Sequence, residues 1–275
     1  MPELPEVQTI CQSLSRQLTG LRIESAQQIS KLRKSVATAD LDLFCRGKTI
    51  TQICRRAKYI LIHFSDQSGL ILHLGMTGCF IINPEDGIAL KHERVCWHLS
   101  DGSRWRFCDA RRFGSLQLCP SSLSFEKHPA LIGLGIEPLQ ENFTGQYLKE
   151  LCQLRKVPIK TLLMDQSHVV GVGNIYANEA LFRSRISPRK LATRLSKVQC
   201  EHLANAIQDV LTAAIAAGGS TIRDYHDVDG SEGHFSLQLQ VYGRNGLPCP
   251  NCNTVIRRLV QAGRSSFYCP HCQRG

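Results

Sequence analysis

The chain of 275 residues is 43% hydrophobic and 20% charged, a globular balance with apolar mass for a substantial core and for two domains. Its net charge of +10 and pI near 9.1 point to a polyanionic partner, because clustered Lys and Arg gain affinity by releasing counterions from phosphates. No apolar run approaches the roughly 18 residues of a membrane span, the charged, proline-bearing start is no signal peptide, and an odd 13 cysteines argue against a disulfide framework. The expectation is a soluble, intracellular, monomeric protein with reduced thiols.

The first element is a helix from about Pro5 to Leu18. Pro5 suits a first turn, Glu6 complements the dipole there, and Val7, Ile10, Leu14 and Leu18 recur at helical spacing. The helix gives no reason for Pro2 and Glu3 to stand at the extreme terminus. Removal of Met1 would expose the secondary amine of Pro2 beside the carboxylates of Glu3 and Glu6. An α-amino group titrates near pH 8, so a useful fraction is nucleophilic at neutral pH, able to form a Schiff base while a carboxyl moves protons.

From Ile50 to Leu118 the pattern is β. Ile60 and Ile62, then Leu70 and Leu72, read as a hairpin; Val95, Trp97 and Leu99 alternate up to a turn at Asp101-Gly102, and Trp105 and Phe107 resume beyond it. Two loop-like stretches interrupt the pattern, Leu74-Gly75-Met76-Thr77-Gly78 and Asp109-Ala110-Arg111-Arg112-Phe113-Gly114. Apolar wedges such as Met and Phe can enter a base stack and Arg can fill the hole left by an extruded base, although each residue alone would equally serve as core or surface cation.

Glycines and prolines from Pro129 to Pro138 mark a linker, after which helical periodicity covers Tyr147–Leu154, Pro158–Met164, Ile175–Arg183 and Val198–Ala217. Gly171-Val172-Gly173-Asn174 sets backbone N–H groups at a helix start, a ready phosphate site and also an everyday turn. The polar stretch from Ser220 to Phe235 reads as a mobile loop. The last motif has the most specific spacing: Cys249-x2-Cys252, sixteen residues, Cys269-x2-Cys272. Four thiolates in two such pairs close a tetrahedral site for one structural zinc ion, with no position left open for chemistry. Arg257, Arg258 and Arg264 between the pairs make a cationic finger suited to DNA, while a ribbon used for packing or protein contacts is the alternative.

Taken together, MPELPEV (1–7), RRAKY (55–59), HLGMTG (73–78), RRFG (111–114), LLMDQSHVVGVGNIYANEALF (162–182), QVYGR (240–244) and the four-cysteine finger give the chain a resemblance to the formamidopyrimidine-DNA glycosylases of bacteria. The resemblance spans essentially the whole length and implies an α+β fold: an N-terminal helix plus antiparallel β-sandwich at 1–130, a linker at 131–140, a helix-two-turn-helix domain with a lesion-capping loop at 141–235, and a zinc finger at 236–275. It implies a cytoplasmic, nucleoid-associated enzyme of base-excision repair. Its partner would be duplex DNA containing oxidised bases or abasic sites, from which it would remove 8-oxoguanine and formamidopyrimidines.

By that resemblance Pro2 attacks C1′ of the damaged nucleoside, Glu3 moves protons at the sugar, Glu6 supports the site and Lys58 lies near the lesion. Glu3, Lys58 and Arg264 are the implied proton donors. Elimination of the 3′ and then the 5′ phosphate would make the protein a lyase as well. Met76, Arg111 and Phe113 match the residues that fill the void and wedge the duplex; His73, Lys160, Asn174, Tyr242 and Arg264 match phosphate contacts; Ser220, Thr221, Ile222, Arg223, Asp224 and Tyr225 match the loop over the everted purine.

Three residues depart from the family's pattern. Gln8 replaces a glutamate, which is expected to be neutral; Ala110 replaces a proline, which is expected to loosen the wedge loop; His63 stands at a position often acidic. Two rival readings share most motifs: an endonuclease VIII-like glycosylase for oxidised pyrimidines, and a non-catalytic damage-binding protein.

Overall fold

The computed structural model describes residues 2–34, 36–84, 90–219 and 238–274, and divides them into two compact units. Met1–Ile132 with Gly218–His234 form one, Gly133–Ala217 with Phe235–Gly275 the other.

The first unit opens with α1 (Leu4–Leu18), whose buried residues Leu4, Val7, Ile10, Cys11, Leu14 and Leu18 form one apolar stripe. Burying a Leu or Ile side chain is worth about 2 kcal/mol, so this stripe, rather than intrinsic propensity, holds the helix. It leads into β1 (Ile23–Gln28), α2 (Thr38–Cys45), β2 (Ile50–Arg56), β3 (Tyr59–Phe64), β4 (Gly69–His73), β5 (Gly78–Pro84), β6 (Glu93–Leu99), β7 (Ser103–Asp109) and β8 (Ser115–Cys119). The strands make two antiparallel four-stranded sheets, ordered β1-β6-β7-β5 and β2-β3-β4-β8. One core joins both sheets to α1: Ile53, Ile60, Ile62, Leu70 and Leu72 from one sheet meet Phe80, Val95, Trp97, Trp105 and Phe107 from the other. At its centre Trp97 and Trp105, directly opposed in the β6–β7 register, stack with centroids 4.1 Å apart.

The alternation read in the sequence thus becomes the β3–β4 and β6–β7 hairpins. The sequence reading passed over β1 and α2. IESAQQ has too few apolar residues to announce a strand, and α2 buries only Leu41 and Cys45 and has Ala37, not a capping side chain, at its start.

The second unit contains α3 (Gly145–Gln153), α4 (Ile159–Leu163), α5 (Asn174–Arg183), α6 (Lys197–Ala216) and the hairpin β9 (Arg257–Gln261) to β10 (Arg264–Tyr268). Ser196 and Gln199 close a capping box at the start of α6, which begins within one residue of the expected boundary. Cys249, Ile256 and Cys269 pack on Phe182 of α5 together with Val241, so the finger shares a small core with the helices. No helix among the described residues is long and apolar enough to cross a membrane.

Candidate active site and nucleic-acid interface

At the start of α1 the Glu3 and Glu6 side chains form a reciprocal capping box: Glu3 accepts the backbone N–H of Glu6, and Glu6 Oε2 accepts the backbone N–H of Glu3 at 2.8 Å. The peptide that follows Pro2 is therefore clamped to the helix, which overcomes the ordinary fraying of a terminus. Pro2 is buried and Glu3 and Glu6 are each 2% exposed. Pro2 therefore leads into a fixed helix start whose two carboxyl groups are kept from bulk water.

Lys58 lies in the two-residue turn Ala57–Lys58 between β2 and β3, itself buried. It acts electrostatically on His73, which ends β4 and pairs in register with Tyr59. Burial, then Lys58 and Arg33, pull the His73 imidazole down to about 4, so it is neutral at pH 7. Its Nδ1 accepts the N–H of Gly75 at 3.0 Å, which leaves the proton on Nε2 as a donor.

His73, Met76, Arg111 and Phe113 line one groove of about 940 Å³ with Lys31, Arg33, Lys34, Tyr59 and Arg112. No carboxylate is among its lining residues, so the groove is cationic along its length. Lys31, Arg33 and Lys34 had no place in the sequence reading, because a local KLRK run shows charge and not what it faces. Here the run is a strap held in place. Leu32 is buried, the N–H of Leu116 bonds the Lys34 carbonyl at 3.0 Å, and Arg94 donates to Ser30 Oγ at 2.8 Å and to the Asp109 carbonyl at 2.7 Å.

The two loops that bear Met76 and Phe113 are built as one. Asp109, fully buried, accepts the Thr77 hydroxyl at 2.6 Å and the Arg111 N–H at 3.2 Å on Oδ1, and the Gly114 N–H at 2.7 Å on Oδ2. This carboxylate spans both ends of the 109–114 loop and ties it to the 74–78 loop, whatever residue stands at 110. The loop with Ala110 in place of proline is thus bonded at both ends to Asp109. In front, Met76 and Phe113 are 38% and 44% exposed, and the Arg111 guanidinium lies 4.9 Å from the Phe113 ring. Apolar groups this exposed on a pinned scaffold are suited to insertion between stacked bases.

In the second unit Lys160 is only 1% exposed and its ammonium donates to Asn174 Oδ1 at 2.6 Å, the Ser265 carbonyl at 2.9 Å and Ser266 Oγ at 2.7 Å. It thereby joins α4, the first residue of α5 and β10. Glu179 of α5, also buried, accepts the backbone N–H groups of Gln240, Val241 and Tyr242 at 2.8–3.0 Å. Burial pushes its carboxyl up and those three bonds pull it back. They fix the segment carrying Tyr242, whose ring meets Phe267 of β10 edge-on at 5.2 Å. Asn178 Oδ1 accepts the Phe267 N–H at 2.8 Å. Lys160 and Arg264 line one small cavity of about 220 Å³. Asn178, Glu179 and Asp109 stand within stretches that the sequence reading singles out but receive no role there, since what marks them is burial among backbone donors.

The four cysteine sulfurs, Cys249, Cys252, Cys269 and Cys272, lie within 4.8 Å of one another. Neighbouring pairs are 3.4–3.9 Å apart, matching the edge of about 3.8 Å that a tetrahedron of 2.3 Å zinc–sulfur bonds requires. Gln273 supports the cluster from behind, accepting the Cys269 N–H at 2.9 Å and donating to the Ile186 carbonyl at 2.9 Å. The six loop residues Ser220, Thr221, Ile222, Arg223, Asp224 and Tyr225 lie outside the described residues. Just before them, Gly219 has φ +84, and a Cβ there would meet Glu6 Cγ at 3.2 Å.

Three family models match the chain in turn. The model of the formamidopyrimidine-DNA glycosylase N-terminal domain matches residues 1–116, that of the formamidopyrimidine-DNA glycosylase H2TH domain 134–226, and that of the zinc finger found in FPG and IleRS 246–275. Formamidopyrimidine-DNA glycosylase of Thiobacillus denitrificans is 47% identical and that of Stenotrophomonas maltophilia K279a 44% identical, each match covering 100% of both chains. Among solved structures, the Lactococcus lactis Fpg complex with abasic-site DNA superposes with a TM-score of 0.92 at 32% identity, covering 99% of this chain and 100% of that one. The MutM (FPG) protein of Thermus thermophilus gives 0.88 at 37% identity, covering 99% and 98%.

Proposed function

Because the chain belongs to the formamidopyrimidine-DNA glycosylase family, we propose that it excises oxidised purines from duplex DNA and then cleaves the strand as a lyase, with Pro2 as its nucleophile. The observation that carries this reading is the clamped, buried start of α1, where the Glu3–Glu6 box fixes the peptide that follows the buried Pro2.

Once Met1 is removed, the unprotonated Pro2 nitrogen attacks C1′ of the damaged nucleoside. The C1′–N bond breaks and its electron pair leaves with the base, protonated by Lys58; the Pro2 N–H proton passes to Glu3, the nitrogen lone pair expels O4′ as the C1′–O4′ bond breaks, and Glu3 returns the proton to O4′. The iminium so formed acidifies C2′; loss of that proton expels the 3′ phosphate, and a second elimination expels the 5′ phosphate. Glu6 holds the Pro2–Glu3 peptide in place, and Arg264 serves at the phosphate and as a third donor. Met76, Phe113 and Arg111 enter the base stack, with Arg111 facing the orphaned base.

Neutral His73 offers its Nε2 proton to a phosphate, the strap at Lys31, Arg33 and Lys34 tracks the backbone beyond it, and Asn174 and Tyr242 contact it from the second unit. Lys160 works by holding Asn174 and the finger in register. The four cysteines hold one structural zinc, which supplies the finger's stability and no chemistry, and the loop from Ser220 to Tyr225 reads the everted base. The sandwich, the helix-two-turn-helix region and the finger are assigned these three roles in turn, at work on chromosomal DNA in the cytoplasm. Relatives solved with Fapy-dG, abasic-site and carbocyclic 8-oxo-G DNA support the purine reading, while one solved with an oxidised pyrimidine keeps that lesion as the comparison to run.

Borohydride trapping on a duplex with 8-oxoguanine opposite cytosine tests the proposal. A covalent complex should form at the N-terminal peptide, fall by at least about 100-fold in Pro2→Gly, and form more slowly on thymine glycol. A parent chain free of Met1 that traps neither duplex would overturn it, and cleavage without the second elimination would remove the lyase's last step.

A further inference from the structure

Gln8 sits in the second turn of α1, and the resemblance gives it no role. In the structure its Oε1 accepts the Arg55 Nε–H at 2.9 Å, while Arg55 Nη1 donates to the Ala57 carbonyl at 3.0 Å. One guanidinium therefore bridges the helix that begins just after Pro2 and Glu3 to the turn that carries Lys58. That turn needs the support. Ala57 has φ +55, a left-handed conformation that is strained for a residue with a side chain and persists only where its surroundings dictate it.

We infer that Gln8 and Arg55 are positioning residues of the reaction, a strut that fixes Lys58 relative to Pro2; the inference rests on the proposed roles of those two residues. The strut acts through the turn it holds, since its hydrogen bonds run from α1 to the 57–58 turn. Arg55 is suited to the task because its planar fork reaches two acceptors in fixed directions, as a lysine ammonium does not. Gln8 is suited because the acceptor it presents is the one a glutamate would present at the same length, so the exchange at this position keeps the bond that matters. A second tie runs alongside, from the Cys11 thiol to the Cys54 carbonyl at 3.5 Å, so loss of the strut leaves α1 on its sheet and releases chiefly the turn.

The test is single-turnover trapping at saturating 8-oxoguanine duplex, with duplex affinity and thermal denaturation measured alongside. Gln8→Met keeps length and loses the acceptor; it should slow trapping about tenfold with affinity within about twofold, because misplacement of a reacting group acts on the chemical step. Gln8→Glu should restore the parent rate. Combined with Lys58→Met, Gln8→Met should add almost nothing, since a strut has no effect once its load is gone. Arg55→Lys should behave like Gln8→Met and decides the matter if that variant does not fold. A slow Lys58→Met beside a Gln8→Met of parental rate, or full multiplication of the two effects, overturns the inference alone. A Lys58→Met of parental rate overturns the role of Lys58 and this inference with it.

Discussion

In the sandwich unit 25 described buried side chains, from two sheets, α1, α2 and adjoining loops, form one continuous core, whereas the core around the finger has five described buried residues, two of them cysteines of the four-sulfur cluster. Both units display cations and aromatics on their surfaces, and in both a buried polar group stands behind the display: Asp109 behind Arg111 and Phe113, Lys160 behind Asn174, Glu179 behind Tyr242. What differs is the source of stiffness beneath. Hydrocarbon packing fills the sandwich and also the helices of the second unit, whereas the finger has few apolar side chains and, on the proposed reading, draws its stability from an ion held by four sulfurs.

Metal removal should separate the two most sharply. Both tryptophans of the chain, Trp97 and Trp105, lie in the sandwich core, so their fluorescence reports that unit alone. A strong chelator should weaken DNA binding by at least about 100-fold, because structural zinc contributes on the order of 10 kcal/mol to folding a small finger, and should leave the tryptophan emission unchanged. A joint loss would break the comparison.

Next comes Asp109→Ala, which strands three donors. It should lower the unfolding free energy of the sandwich by about 3 kcal/mol, read from the same tryptophans in urea, with zinc content unaltered. Unchanged stability would mean that the loops hold their shape without the carboxylate.

Smallest is the triple change of Lys31, Arg33 and Lys34 to alanine. Each phosphate contact adds about 0.9 to the slope of log affinity against log salt, so the slope should fall by roughly 2 to 3 while stability and zinc content stay as they were. An unaltered slope would detach the strap from the interface.

The elements legible in the sequence were those whose burden is local. Val7, Ile10, Leu14 and Leu18 declared α1 by their spacing, Trp97 and Trp105 declared their hairpin by alternation, and the paired cysteines declared a tetrahedral cluster. Illegible was whatever depends on a partner far along the chain. The ties of Arg94 to Ser30 and Asp109, of Lys160 to Asn174 and Ser266, and of Gln8 to Arg55, 47 residues later, exist only once the chain is folded. Even α1 showed its apolar stripe without showing that its first turn clamps the terminus.

Gly75 has φ +63, and a Cβ there would stand 2.5 Å from the backbone of Phe113. With only hydrogen atoms between them, the loop of Met76 and the loop of Phe113 share a boundary and cannot part without losing it. If Met76 and Phe113 act as the proposed wedge, they do so from one shared support, so a change at either loop would be felt at the other.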